Sequence, residues 1–146
     1  MHLPVMLNEC IEGLSIKPNG FYIDATYGRG GHSQAILTMM NGKGKLLCVD
    51  QDRTAIDHAR QQLGNDPRVD ILHAPFSQVK SYLTEKNLLN QVDGLLMDVG
   101  VSSPQLDEAH RGFSFRHDGP LDMRMDQSKG QSAYEYLMQV NERVLA

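Results

Sequence analysis

Three aspartates, Asp24, Asp50 and Asp98, each stand at the end of a short apolar run of the kind that forms a buried strand. A carboxylate in that position accepts hydrogen bonds from hydroxyl and amino groups and attracts positive charge. Because α/β sheets bind ligands beyond the carboxyl ends of their strands, the pattern indicates one shared binding site. Three successive strand ends fit the orientation of a ligand better than they fit the paired carboxylates of a glycosidase.

A glycine-rich turn follows the first run, in the segment Asp24-Ala25-Thr26-Tyr27-Gly28-Arg29-Gly30-Gly31-His32-Ser33. Glycines between a strand and a helix let the backbone approach a ligand closely, and the start of the helix offers N–H groups to it. A dinucleotide fingerprint would have a third glycine where Ser33 stands. Asp24 would repel a diphosphate and attract a cation such as an amino group or a sulfonium. The alternative is a turn that uses glycine for its geometry alone.

Asp50 and Asp52 follow the second apolar run, and Asp50 stands 22 residues after Gly28. An acidic residue near that spacing accepts hydrogen bonds from the hydroxyls of a ribose. The alternative role is the cap of the next helix, because a carboxylate satisfies the N–H groups of a first turn. We assign the ribose to Asp50 and the cap to Asp52.

Two polar segments follow the fourth run and are candidates for contact with a second substrate. The first is Asp98-Val99-Gly100-Val101-Ser102-Ser103-Pro104-Gln105, and its alternative is a plain turn of glycine, serine and proline. The second is Arg111-Gly112-Phe113-Ser114-Phe115-Arg116. Two aromatic rings between arginines could stack a base and hold its phosphates, although in an irregular segment such rings more often pack on the core.

The apolar runs alternate with helical patterns up to residue 98. Strands are predicted over residues 21–26, 45–50, 69–73 and 92–98, and helices over 32–40, 53–63 and 77–89. Strands separated by helices pair in parallel through right-handed crossovers. The predicted fold class is therefore α/β, a doubly wound, mostly parallel sheet that stops after about four strands.

The alternation stops after Asp98. Residues 99–128 are rich in glycine, proline and charge, and a long irregular segment of this kind is usually functional or disordered. A last helix is predicted to begin near Ser132, which forms a capping box with Glu135. Its apolar stripe consists of Ala133, Leu137, Val140 and Val144.

The amino-acid composition limits the classes of protein to which this chain can belong. The 146 residues carry 14 lysines and arginines against 18 acidic residues, a net charge of −4, and 40% of them are hydrophobic. This is the composition of one globular domain, and without a basic surplus any binding to nucleic acid must be local. No run reaches the ~18 apolar residues of a membrane span, and the start lacks the layout of a secretory signal. We expect a cytoplasmic protein.

The cysteines and histidines form no metal motif. Cys10 and Cys48 are far apart and belong to no CxxC pair, and the six histidines show no ligand spacing. We therefore expect neither a disulfide framework nor a metal site.

Five motifs together resemble one family of enzymes. They are His2-x-Pro4-Val5-Met6-Leu7-x-Glu9, the segment 24–33, the segment 98–107, Arg111-Gly112-Phe113-Ser114-Phe115 and Gly119-Pro120-Leu121-Asp122-Met123-Arg124-Met125-Asp126. Across nearly its whole length the chain is similar to the bacterial small-subunit ribosomal RNA cytosine-N4 methyltransferases, the MraW or RsmH family. The last two motifs are far more specific than any glycine turn.

The resemblance implies S-adenosylmethionine as the cofactor and the N4 amine of a cytidine in small-subunit ribosomal RNA as the methyl acceptor. Matching motif positions place the cofactor contacts on Gly30, Gly31, His32, Asp50, Phe76, Asp98 and Gln105. We expect Asp98 to be the catalytic residue, which accepts the hydrogens of the amine through its side chain or its backbone carbonyl. Phe76 would offer adenine an apolar face, and its alternative role is that of a core phenylalanine.

Other amino-methyltransferases carry an Asn/Asp-Pro-Pro-aromatic tetrad at the end of the fourth strand. This chain has Asp98-Val99-Gly100-Val101 there, so the aromatic ring that stacks the target base must come from elsewhere. Phe113 and Phe115 are the candidates.

Members of that family are longer, with a helical domain inserted after the fourth strand and further strands in the sheet. We therefore expect residues 1–128 to form a partial, Rossmann-like methyltransferase domain and residues 129–146 to begin the inserted helical domain. The fourth strand would be an exposed edge through which the chain could form a homo-oligomer. One alternative is a truncated, non-catalytic fragment that binds the cofactor or a protein partner. A weaker one is a fragment of a nicotinamide-dependent dehydrogenase.

Overall fold

The computed structural model describes residues 4–145. His2, at the start of the first motif, lies outside the described residues. The strands are β1 (Phe21–Asp24), β2 (Lys45–Asp50), β3 (Val69–His73) and β4 (Gly94–Leu96). The α-helices are α1 (Leu7–Leu14), α2 (Gly31–Met39), α3 (Arg53–Leu63), α4 (Val79–Glu85), α5 (Ser103–Asp107), α6 (Ala133–Gln139) and α7 (Glu142–Leu145). Single turns of 3-10 helix cover Phe76–Gln78, Leu89–Gln91 and Ala109–Arg111.

The four strands form one sheet in the order β3-β2-β1-β4, and all three pairings are parallel. Helices connect the strands because parallel neighbours cannot be joined by a tight turn. The predicted α/β class and parallel sheet are confirmed. Strand β4 lies at an edge of this sheet; a homo-oligomer formed through that edge stays a prediction.

Apolar side chains cover both faces of the sheet, because successive residues of a strand point to opposite sides. On one face Tyr22 and Leu46 pack against Ile36 of α2 and helix α3. On the other, Ile23 and Leu47 pack against helix α4. All four residues of β1 are buried, as expected for a central strand of a parallel sheet.

The chain divides into two compact units, one up to Val99 and one from Gly100 onward. The first contains the sheet with helices α1 to α4, and the second contains α5 to α7 and the loops between them. The predicted boundary between residues 128 and 129 concerns an inserted domain and stays a prediction.

The structure corrects several of the predicted elements. Strand β1 ends at Asp24 and not at residue 26, α4 is shorter than the helix predicted over residues 77–89, and α5 lies in the segment expected to be irregular. Helix α1 was not predicted, and β4 covers only Gly94–Leu96 of the predicted run over residues 92–98. Just before β4, the Asp93 carboxylate accepts the N–H of Phe21 at 2.9 Å and the ammonium of Lys17 at 2.6 Å. The last predicted helix is broken, since Val140 is extended and Asn141 accepts the N–H of Arg143 at 3.0 Å, which starts α7.

Candidate functional site

The register of the sheet places Asp50 and Asp98, two of the predicted site residues, at the same height along their strands, at the carboxyl end of the sheet. Asp24 pairs with Cys48 on one side and with Leu96 on the other. Thr26, Asp50 and Asp98 therefore all lie two residues beyond that row. Neighbouring strands are ~4.8 Å apart, so the backbones at positions 50 and 98 flank β1 at a separation of about 10 Å.

Thr26 joins the ends of β1 and β4. The N–H of Asp98 donates to the Thr26 hydroxyl oxygen at 2.7 Å, and the N–H of Ala25 donates to the carbonyl of Leu96 at 2.9 Å. The side chain of Asp98 is exposed. The backbone at the predicted catalytic position is thus held while its carboxylate faces solvent.

The glycine turn between β1 and α2 requires glycine at two positions. Gly28 has φ of 54° and Gly30 has φ of 77°, a conformation that L side chains rarely adopt. At Gly30 the backbone N–H donates to the carbonyl of Tyr27 at 2.7 Å. A Cβ added to Gly30 would also meet the hydroxyl oxygen of Tyr27 at 2.5 Å. Gly30 is therefore needed for more than chain reversal, since it packs directly on the side chain of Tyr27.

Asp24 does not line the site, contrary to the expectation that it faces a cation. Its side chain is fully buried, where it accepts the hydroxyl of Ser33 at 2.6 Å and the N–H of Thr26 at 3.2 Å. Burial raises the pKa of this carboxyl, and the two hydrogen bonds oppose that shift. Ser33, which replaces the third glycine of a dinucleotide fingerprint, thus supplies the bond that ties helix α2 to the end of β1.

Of the two roles predicted for Asp50 and Asp52, the structure shows the helix cap of Asp52. Asp52 caps α3, because its carboxylate accepts the N–H of Thr54 at 2.9 Å. Asp50 accepts the N–H of Gly28 at 2.8 Å on one oxygen and that of Asp52 at 2.8 Å on the other. Burial raises the pKa of Asp50. Each oxygen of a carboxylate has two acceptor sites, so Asp50 can still accept from the hydroxyls of a ribose; that role stays a prediction.

Gly31 and the side chain of His32 face the N-terminal segment, which includes Pro4 and Val5. The His32 ring is buried, and its Nε2 lies 3.1 Å from the carbonyl oxygen of Val5, which it donates to. A Cβ on Gly31 would collide with the ring of Pro4. The predicted cofactor contacts at these two positions therefore fall to their backbone.

Phe76 begins the 3-10 turn that follows β3, and its ring is 48% exposed. This exposure argues against the alternative role of a core phenylalanine. The ring is available as an apolar face beside the end of the sheet.

The second unit holds the other predicted residues. Gln105 is buried and its side chain closes a capping box at the start of α5, where it accepts the N–H of Ser102 at 2.9 Å. Phe115 is 99% exposed, so it does not pack on a core. Arg111 is 2% exposed and donates to the carbonyl of Met125 at 3.0 Å. Arg111 is thus committed to the fold, and of the two flanking arginines only Arg116 is exposed to a phosphate.

A family model described as the MraW methylase family matches residues 1–146, the whole chain. The chain belongs to the MraW methylase family. The predicted family is thereby confirmed, and membership of a methylase family implies methyl transfer that depends on S-adenosylmethionine.

The residues at the strand ends fit that cofactor. Gly30 presents backbone without room for a side chain, which suits close approach by an amino acid portion. The Asp50 carboxylate suits a ribose, and the exposed ring of Phe76 suits a flat purine. Within residues 4–145 no three His, Cys, Asp or Glu side chains are grouped to hold a metal ion, and no helix is long and apolar enough to cross a membrane.

Sequence reasoning missed Tyr27 and His58. The Tyr27 hydroxyl oxygen lies 3.1 Å from Nδ1 of His58, a residue of α3, and the ring centroids are 5.8 Å apart. No spacing in the sequence pairs residues 31 positions apart. The available signal was a large aromatic residue directly before Gly28, in a turn where small residues are usual.

Proposed function

We propose that this methylase transfers a methyl group from S-adenosylmethionine to the exocyclic N4 amine of a cytidine in small-subunit ribosomal RNA. The observation that carries the proposal is the alignment of Asp50 and Asp98 at one level on either side of β1, with the glycine turn above that strand. Membership of the MraW methylase family supports the reaction class, and the resemblance of the five motifs supports the acceptor.

The cofactor would lie along the strand ends. Gly30, Gly31 and His32 offer backbone to its methionine portion, Asp50 accepts from the ribose and Phe76 covers adenine. Gln105 is the further residue assigned to it by the motif match. Bound there, S-adenosylmethionine supplies a methyl group made electrophilic by the positive sulfur.

The chain must then activate a weak nucleophile. The lone pair of the cytosine amine is delocalised into the ring, so the site has to hold the nitrogen in line with the methyl group and keep water away. Asp98 accepts a hydrogen bond from the amine through its carboxylate or backbone carbonyl. The nitrogen would gain the methyl group as the bond between that methyl group and the sulfur breaks, which would leave a neutral thioether. It would then release one proton to water, and hydrogen bonding to Asp98 would stabilise the positive charge that develops on the nitrogen.

RNA binding by this chain would be confined to a small part of its surface, because a net charge of −4 leaves no overall basic surplus to pair with phosphates. Phe115 and Arg116 are exposed side by side, and the N–H of Arg116 donates to the Ser114 hydroxyl at 3.1 Å. An exposed ring beside a cation suits a splayed base and its phosphate. The segment from Ser102 to Pro104 is the candidate for contact with the base edge.

Methyl transfer from radiolabelled S-adenosylmethionine to small ribosomal subunits tests the proposal. Asp98→Ala should abolish transfer while calorimetry shows the cofactor still bound, because the carboxylate is exposed and its removal leaves the backbone bond to Thr26 in place. Asp57→Ala, at an exposed acid of α3, is the matched control and should transfer normally. Normal transfer by Asp98→Ala would rule out the Asp98 carboxylate as the group that accepts the hydrogen bond from the amine.

Affinity for the cofactor tests the other end of the site. Asp50→Ala should weaken S-adenosylmethionine binding by ~1.5–3 kcal/mol, the size of hydrogen bonds to a charged group. A titration that shows no change would remove Asp50 from the site. Competition by a nicotinamide dinucleotide would instead favour the dehydrogenase alternative.

A second candidate function is a non-catalytic module that binds the cofactor or a protein partner. The observation that favours it is the edge strand β4 and the segment that follows it. Leu95 of the strand is 43% exposed, and Met97 and Val99 beyond it are 51% and 70% exposed. Exposed apolar edges are pairing surfaces. Cofactor binding without any transfer to small subunits would decide for this candidate.

A further inference from the structure

Tyr27 lies beneath the glycine turn and is part of it. Its N–H donates to the carbonyl of Val49 at 3.0 Å, and its own carbonyl accepts the N–H of Gly30 at 2.7 Å. The ring is 3% exposed and packs on Gly30, where an added Cβ would lie 2.5 Å from the hydroxyl oxygen and 2.6 Å from Cζ. The phenol therefore fills the space in which a side chain at position 30 would stand.

His58 on α3 holds the phenol in that place, with 3.1 Å between the hydroxyl oxygen and Nδ1. Burial raises the pKa of Tyr27, so the phenol keeps its proton. Burial, reinforced by the charge of Arg29, lowers the pKa of His58, which favours the neutral ring. Tyr27 thus donates and Nδ1 of His58 accepts, with the ring proton on Nε2.

Besides the bond from Tyr27 to Val49, the turn is tied to the second strand and its helix at two further points. Gly28 donates its N–H to Asp50, the last residue of β2, at 2.8 Å. Gly30 is supported through Tyr27 by α3, the helix that Asp52 caps. The carboxylate assigned to the ribose and the glycines assigned to the methionine portion therefore share one rigid support.

We propose that Tyr27 and His58 are positioning residues that hold Gly30 in its left-handed conformation and so fix the cofactor-binding face of the turn. The inference rests on the proposed function, because S-adenosylmethionine is the ligand concerned. Neither side chain needs to touch the ligand, since each acts through Gly30. Without the Tyr27–His58 bond the turn samples more conformations, and binding then includes the cost of ordering it.

Calorimetric titration with S-adenosylmethionine, together with amide hydrogen exchange at Gly28 and Gly30 in the cofactor-free protein, tests the proposal. Tyr27→Phe and His58→Ala should each weaken binding by about two- to tenfold, which corresponds to the loss of one hydrogen bond. Exchange at Gly30 should be faster in both variants. The double variant should bind no more weakly than the weaker single variant, because both changes remove the same bond.

Two further variants separate positioning from packing. His58→Gln keeps an acceptor for the phenol and should recover most of the affinity. Tyr82→Phe, at a tyrosine packed on the other face of the sheet, is the matched control and should change neither affinity nor exchange at Gly30.

The outcomes distinguish this proposal from the proposed function. If the unmodified protein binds no S-adenosylmethionine, the proposed function fails, and exchange at Gly30 still decides whether Tyr27 and His58 fix the turn. If the unmodified protein binds and Tyr27→Phe binds equally well with unchanged exchange at Gly30, the positioning role is overturned. A lower melting temperature without any change in affinity or exchange marks a purely structural role and overturns it as well.

Discussion

The two compact units of this methylase are stabilised by different kinds of interaction. Among residues 4–145 every buried apolar side chain lies in the unit up to Val99, on the two faces of the sheet. In the unit from Gly100 onward the buried residues are Gln105 and Arg111, both polar. There the structure depends on hydrogen bonds to charged groups, such as the paired contacts of 3.0 and 2.7 Å from Arg124 to Asp122. The difference shows that one chain can combine a unit built by apolar burial with one built by directed polar bonds.

A cavity in the sheet should give the largest effect. Ile23→Ala removes a fully buried side chain from the central strand and should lower the free energy of unfolding of the first unit by ~2–5 kcal/mol. Leu95→Ala is the matched control, since Leu95 pairs with Ile23 in register but is 43% exposed. Denaturant unfolding followed by circular dichroism measures both. Equal losses in the free energy of unfolding of the two variants would contradict stabilisation of the first unit by apolar burial.

Removal of the buried guanidinium should loosen the second unit alone. Arg111→Leu abolishes the bond to the carbonyl of Met125 and should cost ~1.5–3 kcal/mol, as for other hydrogen bonds from charged donors. Hydrogen exchange should become faster at the amides of Met123 and Ala133 and stay unchanged in the strands. Arg116→Leu, at an exposed arginine, should change neither. Faster exchange throughout the sheet would contradict independent stabilisation of the units.

Two carboxyl groups, one in each unit, should respond to acid in opposite directions. A hydrogen bond from Arg124 lowers the pKa of Asp122 below its ordinary value of 3.8, so its stabilising contribution is present above 3.8 and is lost as the pH falls through the lowered value. Burial raises the pKa of Asp24 above 3.8, so its contribution is complete below 3.8 and is lost as the pH rises through the raised value. Acidification should therefore weaken the second unit while protonation of Asp24 favours the first.

Amide exchange measured across the acid range, unit by unit, checks this prediction. Asp122→Asn should reduce the pH dependence of protection in the second unit, and Asp24→Asn should remove the contribution that favours the first unit in acid. An unchanged pH dependence of protection in either variant would contradict the prediction.

The smallest effect on stability should come from Phe115→Ala, within ~0.5 kcal/mol, because the ring is 99% exposed. If Phe115 stacks a base as proposed, affinity for small-subunit RNA should fall by ~1–3 kcal/mol. Filter binding measures this, with Tyr134→Ala as an exposed aromatic control. Unchanged RNA affinity would remove Phe115 from the acceptor site.

The sequence predicted the elements of the first unit well where turn residues mark the ends of apolar segments. The bounds of β2, α3 and β3 coincide with the predicted ones, since Gly64-Asn65-Asp66-Pro67 ends α3 and apolar residues make up most of each strand. Helix α1 was missed although Leu7, Ile11 and Leu14 have the spacing of one helical face. The predicted role of Asp52 as a cap followed from its position alone.

The second unit was harder to predict because its order comes from polar bonds, which leave no apolar period. Helix α5 lies in the segment expected to be irregular, yet Ser102 and Gln105 form the same capping box that correctly located α6 through Ser132 and Glu135. The bond between Tyr27 and His58, and the burial of Asp24 beneath Ser33, depend on how separate elements meet in space. No local pattern contains that information.

The bond from the Asp98 amide to the Thr26 hydroxyl makes position 98 unusually suitable for chemical dissection. The main chain there is anchored by a group that nineteen of the twenty amino acids possess, so the carboxylate can be exchanged for an amide, a longer acid or a hydrocarbon on an unchanged backbone path. Proline alone would break the anchor. Substitution of Asp98 by every other amino acid would therefore measure what the side chain contributes to turnover, without a change in the position of the strand.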